Sequence, residues 1–209
     1  MSGRHLKRFA ICSFLALSVS GAGAAAFSLS DARIPLTLSS GRVSIAGTSN
    51  IHDYTASTTN VRVVQMELAE GVKGPDFWDQ IVKPGAIESF EIAIAAGSLS
   101  SPREGIDKNM YKALKVTEFP HITFRLIRFD GGEPGTLRAT GVLKIAGVER
   151  EVTLNLKTER HDATFTVKGA VTLLMTDYGI TPPKALMGML KTDPKVTVTF
   201  ETVLAIPQT

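Results

Sequence analysis

A chain of 209 residues with 23 Lys and Arg, 20 Asp and Glu and one cysteine excludes several classes of protein at once. Arg4, Lys7 and Arg8 all precede the first acid, Asp31, so beyond them 20 bases face 20 acids and no concentrated basic face remains for nucleic acid. The lone Cys12 lies in the N-terminal apolar run, so the rest of the chain makes no internal disulfide and relies on burial.

Residues 1–26 read as a cleaved signal peptide. A basic start is followed by the apolar run Phe9 to Ser20 and by the small residues Ala22-Gly23-Ala24-Ala25-Ala26, with cleavage expected after Ala24 or Ala26. The run is too short for a membrane span, and Cys12 lacks the context of a lipid-modified cysteine. The expectation is export to a bacterial periplasm, or beyond it into the medium, of residues 27–209 as one domain. Roughly 180 residues suffice for that, since a domain of this order buries about two-thirds of its unfolded surface.

Strand-like alternation then dominates. Val43 and Ile45 alternate with Ser44 and Ala46, Val61 and Val63 with Arg62 and Val64, and Phe90, Ile92 and Ile94 with Glu91, Ala93 and Ala95. The period changes at Asp107–Leu114, where Ile106, Met110, Ala113 and Leu114 share one helical face and Asp107 is the expected N-cap. Phe119-Pro120 forbids helical continuation, and Ile122, Phe124 and Leu126 resume the alternation. The Gly131–Gly135 turn leads to Leu143 and Ile145, which pass through Ala146-Gly147-Val148-Glu149 into Val152, Leu154 and Leu156 as a hairpin. Phe165, Val167, Val171 and Leu173 follow the His161-Asp162 turn, and Val196, Val198 and Phe200 form the last strand.

About eight strands joined mostly by short turns, without βαβ alternation, predict an all-β antiparallel fold. One sheet closed on itself, with its edges removed, and a two-sheet sandwich both satisfy the pattern. Two further interruptions are expected as loops, Gly71–Gly85 and Thr181–Pro194; the second holds the apolar run Ala185-Leu186-Met187-Gly188-Met189-Leu190.

No catalytic constellation stands out. His52, His121 and His161 lack metal-ligand spacing, and no Gly-x-Ser-x-Gly elbow, Walker loop or dinucleotide turn occurs. Glu149 and Glu151 flank Arg150 in the hairpin, where exposed charge is the plain reading. Asp177 stands before Tyr178-Gly179, where it caps a turn or ends a strand.

The stretch Ile106–Phe124, with its short amphipathic helix feeding a strand through Phe-Pro, resembles the segment that marks the YceI-like lipid (polyisoprenoid)-binding family. Ser49-Asn50-Ile51-His52-Asp53-Tyr54 is similar to the family's Ser-x-x-His-Asp-Trp block, with Tyr54 where the family often has tryptophan. Gly141–Val148 resembles its glycine-bounded hairpin, and Met175–Ile180 followed by Pro182-Pro183 resembles its Asp-aromatic-Gly-Ile block. These blocks keep the family's order from about Val43 to Leu204.

The resemblance implies an eight-stranded antiparallel lipocalin-like barrel, with a short helix and irregular loops at its mouth, holding a long isoprenoid chain. It implies no catalytic residue, no metal and no cofactor, the ligand being an isoprenoid, a quinone-like molecule or a related amphiphilic lipid. Interior lipid contacts are expected from Phe90, Ile92, Ile94, Ile122, Phe124, Leu126, Val198 and Phe200, and mouth contacts from Met110, Leu114, Leu186 and Met187. Lys108, Lys112 and Lys115 form a solvated helix face or meet a polar head. Two other readings stay open: a secreted enzyme acting on an apolar substrate through His52 or Asp177, and a ligand-free envelope interaction protein. A homodimer is neither required nor excluded.

Overall fold

The computed structural model describes residues 36–131, 133–185 and 189–206. The expected signal peptide, residues 1–26, lies outside the described residues, as do Leu186 and Met187. The elements run β1 (Thr37–Ser49), β2 (Asp53–Thr58), β3 (Val61–Leu68), α1 (Phe77–Ile81), β4 (Ile87–Ala95) and α2 (Glu104–Leu114). Then come β5 (His121–Gly131), β6 (Thr136–Ile145), β7 (Val148–His161), β8 (Thr164–Leu174), β9 (Lys184–Ala185) and β10 (Leu190–Ala205).

All strand pairs are antiparallel. Nine strands form one path, β2-β1-β10-β8-β7-β6-β5-β4-β3, with β9 paired to β10. The eight strands expected from alternation are all present. The two additions are β9 and β2, whose sequence Asp-Tyr-Thr-Ala-Ser-Thr offers only Tyr54 and the small Ala56 as apolar groups. The sheet curls around an apolar interior, but its ends are not joined by a ladder. The chain passes directly from β2, paired to β1, into β3, paired to β4. The gap is bridged locally: Ser57 pairs with Ser100, and a Cβ placed on Gly41 of β1 would stand 3.2 Å from Val61 Cβ of β3.

Period-2 geometry explains which residues face inward. On β10, Val198 and Phe200 face in while Thr199 and Glu201 are exposed. On β5 a bulge between Leu126 and Arg128 resets the alternation, so Ile127 is 47% exposed and Phe129 returns to the core at 6%. The β6–β7 hairpin turns on Ala146 (φ 49°) and Gly147 (φ 84°) between the paired Ile145 and Val148. Two positive-φ residues match the right-handed twist of the strands they join.

Within β6 and β8, Gly141 and Gly169 leave room for rings on neighbouring strands. A Cβ at Gly141 would collide with the Phe124 ring, and one at Gly169 with the Phe200 ring. These glycines let two aromatic rings lie along the wall instead of blocking the interior.

The helix differs from the sequence reading at its start only. It begins at Glu104, so Asp107 sits inside its first turn and is not the N-cap; that position is Arg103, without a side-chain cap bond. Asp107 still satisfies local donors, because its carboxylate accepts the Ser101 N–H at 2.8 Å and the Ser100 hydroxyl at 3.2 Å. The helix ends at Leu114, several residues before Pro120, where Lys115 turns left-handed (φ 51°). The Gly71–Gly85 interruption also holds more than a loop. Its single-turn helix α1 buries Phe77, Trp78 and Ile81.

Candidate functional site

The curled sheet encloses two cavities placed end to end, of about 480 Å³ and about 190 Å³. Register fixes their order. The larger is lined by Thr192 near the beginning of β10, Leu173 at the end of β8 and Ile122 at the beginning of β5. The smaller is lined by Leu204 at the end of β10, Phe165 at the beginning of β8 and Leu137 at the beginning of β6. Val43, Ile94, Leu143 and Val198 line both. They form a waist of four aliphatic side chains from four strands.

Helix α2 lies over the larger cavity and contributes Ile106, Met110, Ala113 and Leu114. The Tyr111 hydroxyl holds the helix in place by donating to the Leu99 carbonyl at 2.6 Å. Opposite it, the β1–β2 turn is closed by the Ser49 hydroxyl, which donates to the His52 carbonyl at 2.7 Å and accepts the His52 N–H at 3.1 Å. Asn50 clamps that turn to β10, its side chain donating to the Met189 carbonyl at 2.8 Å and accepting the Lys191 N–H at 2.7 Å.

At the other end lies an aromatic cluster. Trp78 of α1 stacks on Phe165 at 5.3 Å with planes 9° apart, and Phe77 meets Trp78 edge-on at 5.1 Å. Ile81 and Val82 line the smaller cavity in front of this cluster. Arg160 of β7 reaches Asp79 of α1 at 3.5 Å, an exposed contact that locates the helix more than it stabilises it.

The ten described residues expected to contact lipid all line this interior. Ile94, Met110, Leu114, Ile122 and Val198 border the larger cavity, and Phe90, Ile92, Phe124, Leu126 and Phe200 the smaller. Lys108, Lys112 and Lys115 are exposed. His52 borders the larger cavity, whereas Asp177 is exposed and its backbone carbonyl accepts Arg150 Nε at 3.0 Å. No hydrogen bond joins His52 to Asp177 among the described residues, and none of these residues forms a three-ligand metal cluster.

Sequence reasoning missed the polar border of the larger cavity. Tyr54, Arg103, Asn109 and Tyr178 join His52 and Ser49 there. The Tyr178 hydroxyl and His52 Nδ1 are buried without a hydrogen-bond partner among the described residues. Burial, and then the Asp177 carboxylate, push the Tyr178 hydroxyl above the usual tyrosine range against the opposing pull of Arg150. Burial, and then Asp193, raise Tyr54 as well.

Above about pH 10 the unfolded chain releases phenolic protons that the folded protein retains. The stability these two groups contribute is therefore present below that pH and lost as pH climbs toward their folded values. The denaturation midpoint is expected to fall between about pH 9 and about pH 11, and less steeply in Tyr178→Phe. An equal fall in the variant would show that Tyr178 contributes nothing to it.

A model of the YceI-like domain family matches residues 37–204. Among solved structures, BcnA of Burkholderia cenocepacia aligns with a TM-score of 0.61 at 15% identity, over 78% of this chain and 95% of that chain. A polyisoprenoid binding domain from Saccharophagus degradans aligns with a TM-score of 0.62 at 12% identity, over 84% and 100%. The Campylobacter jejuni YCEI protein aligns with a TM-score of 0.51 at 13% identity, over 78% and 85%. At these identities the likeness is one of fold. No curated protein matches the chain.

Proposed function

The chain belongs to the YceI-like domain family, and on that footing we propose that it binds the apolar tail of a long-chain isoprenoid, or of a related quinone-like amphiphile, inside the curled sheet. The observation that carries this reading is the pair of cavities in line, bordered almost wholly by aliphatic and aromatic side chains. A tail placed there exchanges water for apolar walls at about 0.8 kcal/mol per CH₂. A few isoprene units give about 10 kcal/mol of gross transfer energy, part of it lost to ordering the tail. Such binding needs neither metal nor catalytic group, so the role is that of a non-catalytic carrier or sequestering protein.

The Saccharophagus degradans domain, described as polyisoprenoid-binding, supports the choice of ligand class. The N-terminal sequence supports export: residues 1–26 are removed and residues 27–209 act in the periplasm, or outside the cell, as one domain. Among the described residues no helix is long and apolar enough to cross a membrane.

Lipid extraction and mass spectrometry of the protein purified from its native host are expected to return an isoprenoid near one per chain. N-terminal sequencing is expected to begin after Ala24 or Ala26. Protein that carries no amphiphile after mild purification, and takes up no added polyprenol, would overturn the reading.

A further inference from the structure

We propose that the interior is a blind and oriented sleeve that measures its ligand, with the polar end under α2 and the tail tip against α1. This deepens the isoprenoid-binding reading and rests on it. The first support is the unequal border of the two cavities. Six side chains capable of hydrogen bonding, Ser49, His52, Tyr54, Arg103, Asn109 and Thr192, line the larger cavity in addition to Tyr178. The smaller has only Thr202. A hydroxyl or phosphate head in the smaller cavity would lose its hydration without replacement partners, so the head stays in the larger one.

The second support is access. Arg103, Gly105, Asn109 and Leu174 border the larger cavity and are also exposed, so that cavity reaches the surface beside α2. Every residue bordering the smaller cavity is buried or half-buried. Its far end is formed by Ile81 (5% exposed), Met66 (4%) and Phe165 (8%). Trp78 stacks behind Phe165, and Arg160 holds α1 across that end. Among the described residues, a tail that enters beside α2 ends against these buried side chains.

Length then follows from the strands. Thr192 to Leu204 on β10 spans about 40 Å at about 3.3 Å per residue, or about 30 Å of axis at a tilt of about 40°. An extended isoprene unit adds four chain bonds of about 1.5 Å in a zigzag, about 5 Å in all. The sleeve accepts about six units by length, with the waist past the middle of the tail because the larger cavity has about 480 Å³ and the smaller about 190 Å³.

Trp78 is the only tryptophan in the chain, which makes the test direct. Polyprenols of three to ten units, presented in detergent micelles, are followed by native mass spectrometry and by tryptophan emission of the full mature protein. Stoichiometric binding is expected up to about six units, with affinity at least about tenfold weaker for longer tails. Emission is expected to shift only when the tail exceeds about four units and passes the waist. Ile81→Ala should raise the upper limit and Ala139→Phe, which fills the smaller cavity, should lower it. The second variant and the wild-type emission series keep the test open if Ile81→Ala does not fold.

Equal binding of all lengths, an unmoved limit in folded variants, or an emission change with the shortest tail would overturn the sleeve while leaving isoprenoid binding intact. Absence of binding at every length would overturn both.

Discussion

Leu143→Trp is expected to lower affinity for a six-unit polyprenol by at least about 100-fold while the protein stays folded. Leu143 is one of the four side chains that border both cavities. An indole there has space on either side, unlike one forced into a filled core, so strain stays within about 1–3 kcal/mol. The waist, however, closes. One to two isoprene units, about eight carbons in a space of about 190 Å³, then lose the smaller cavity, and with it about 6 kcal/mol of gross transfer energy at about 0.8 kcal/mol per carbon. If half of that survives the entropy of ordering the tail, the net loss is about 3 kcal/mol, a factor above 100.

A three-unit alcohol, confined to the larger cavity, should bind the variant nearly as well as the wild type. Calorimetric titration with the two alcohols separates the effects. Equal loss for both would mean that Leu143→Trp damages the whole fold or that the two cavities do not act in line.

The interior-facing strand residues were legible because a strand offers only two faces. Once Phe90, Ile92 and Ile94 alternate with Glu91 and Ala93, one set must turn inward, and the ladder Ile92↔Phe124 and Ile94↔Ile122 then follows from matching apolar faces. Helix α2 was legible for a similar reason, since Met110 and Leu114 lie one turn apart. Its start was not, because Asp107 satisfies donors from inside the first turn as readily as from the cap.

Strand β2 escaped because Asp53–Thr58 offers only Tyr54 and the small Ala56 as apolar groups on its inward face and is held by pairing with β1, which no local pattern encodes. The polar border of the larger cavity escaped for another reason. The Ser49–Tyr54 block, Arg103 and Thr192 are distant in sequence, and only the curling of the sheet brings them to one place. The Phe77-Trp78-x-x-Ile81 spacing could have revealed α1. Those three residues fit one face of a single turn, bounded by Gly74-Pro75 and Pro84-Gly85.

The same single turn leads to the largest expected effect on stability. A five-residue helix does not hold itself together, so α1 exists because Phe77, Trp78 and Ile81 are buried against β3 and β8. Trp78 is 4% exposed and faces Phe165 ring to ring. Trp78→Ala removes that stack and leaves a void, and is expected to cost about 3–5 kcal/mol. For a domain of this size that lowers the melting temperature by about 10 °C.

Trp78→Phe retains a stacked ring and most of the buried area, so its loss is expected to be less than half as large. Thermal unfolding of both variants without ligand tests the packing. Saturating polyprenol then adds a second comparison, because a ligand that binds only the folded state raises its melting temperature. In the wild type that rise should grow with tail length until the tail reaches the floor. In Trp78→Ala the floor is loosened, so the rise should continue with longer tails. A Trp78→Ala loss below about 1 kcal/mol would mean that α1 rests on the end of the sheet without closing it.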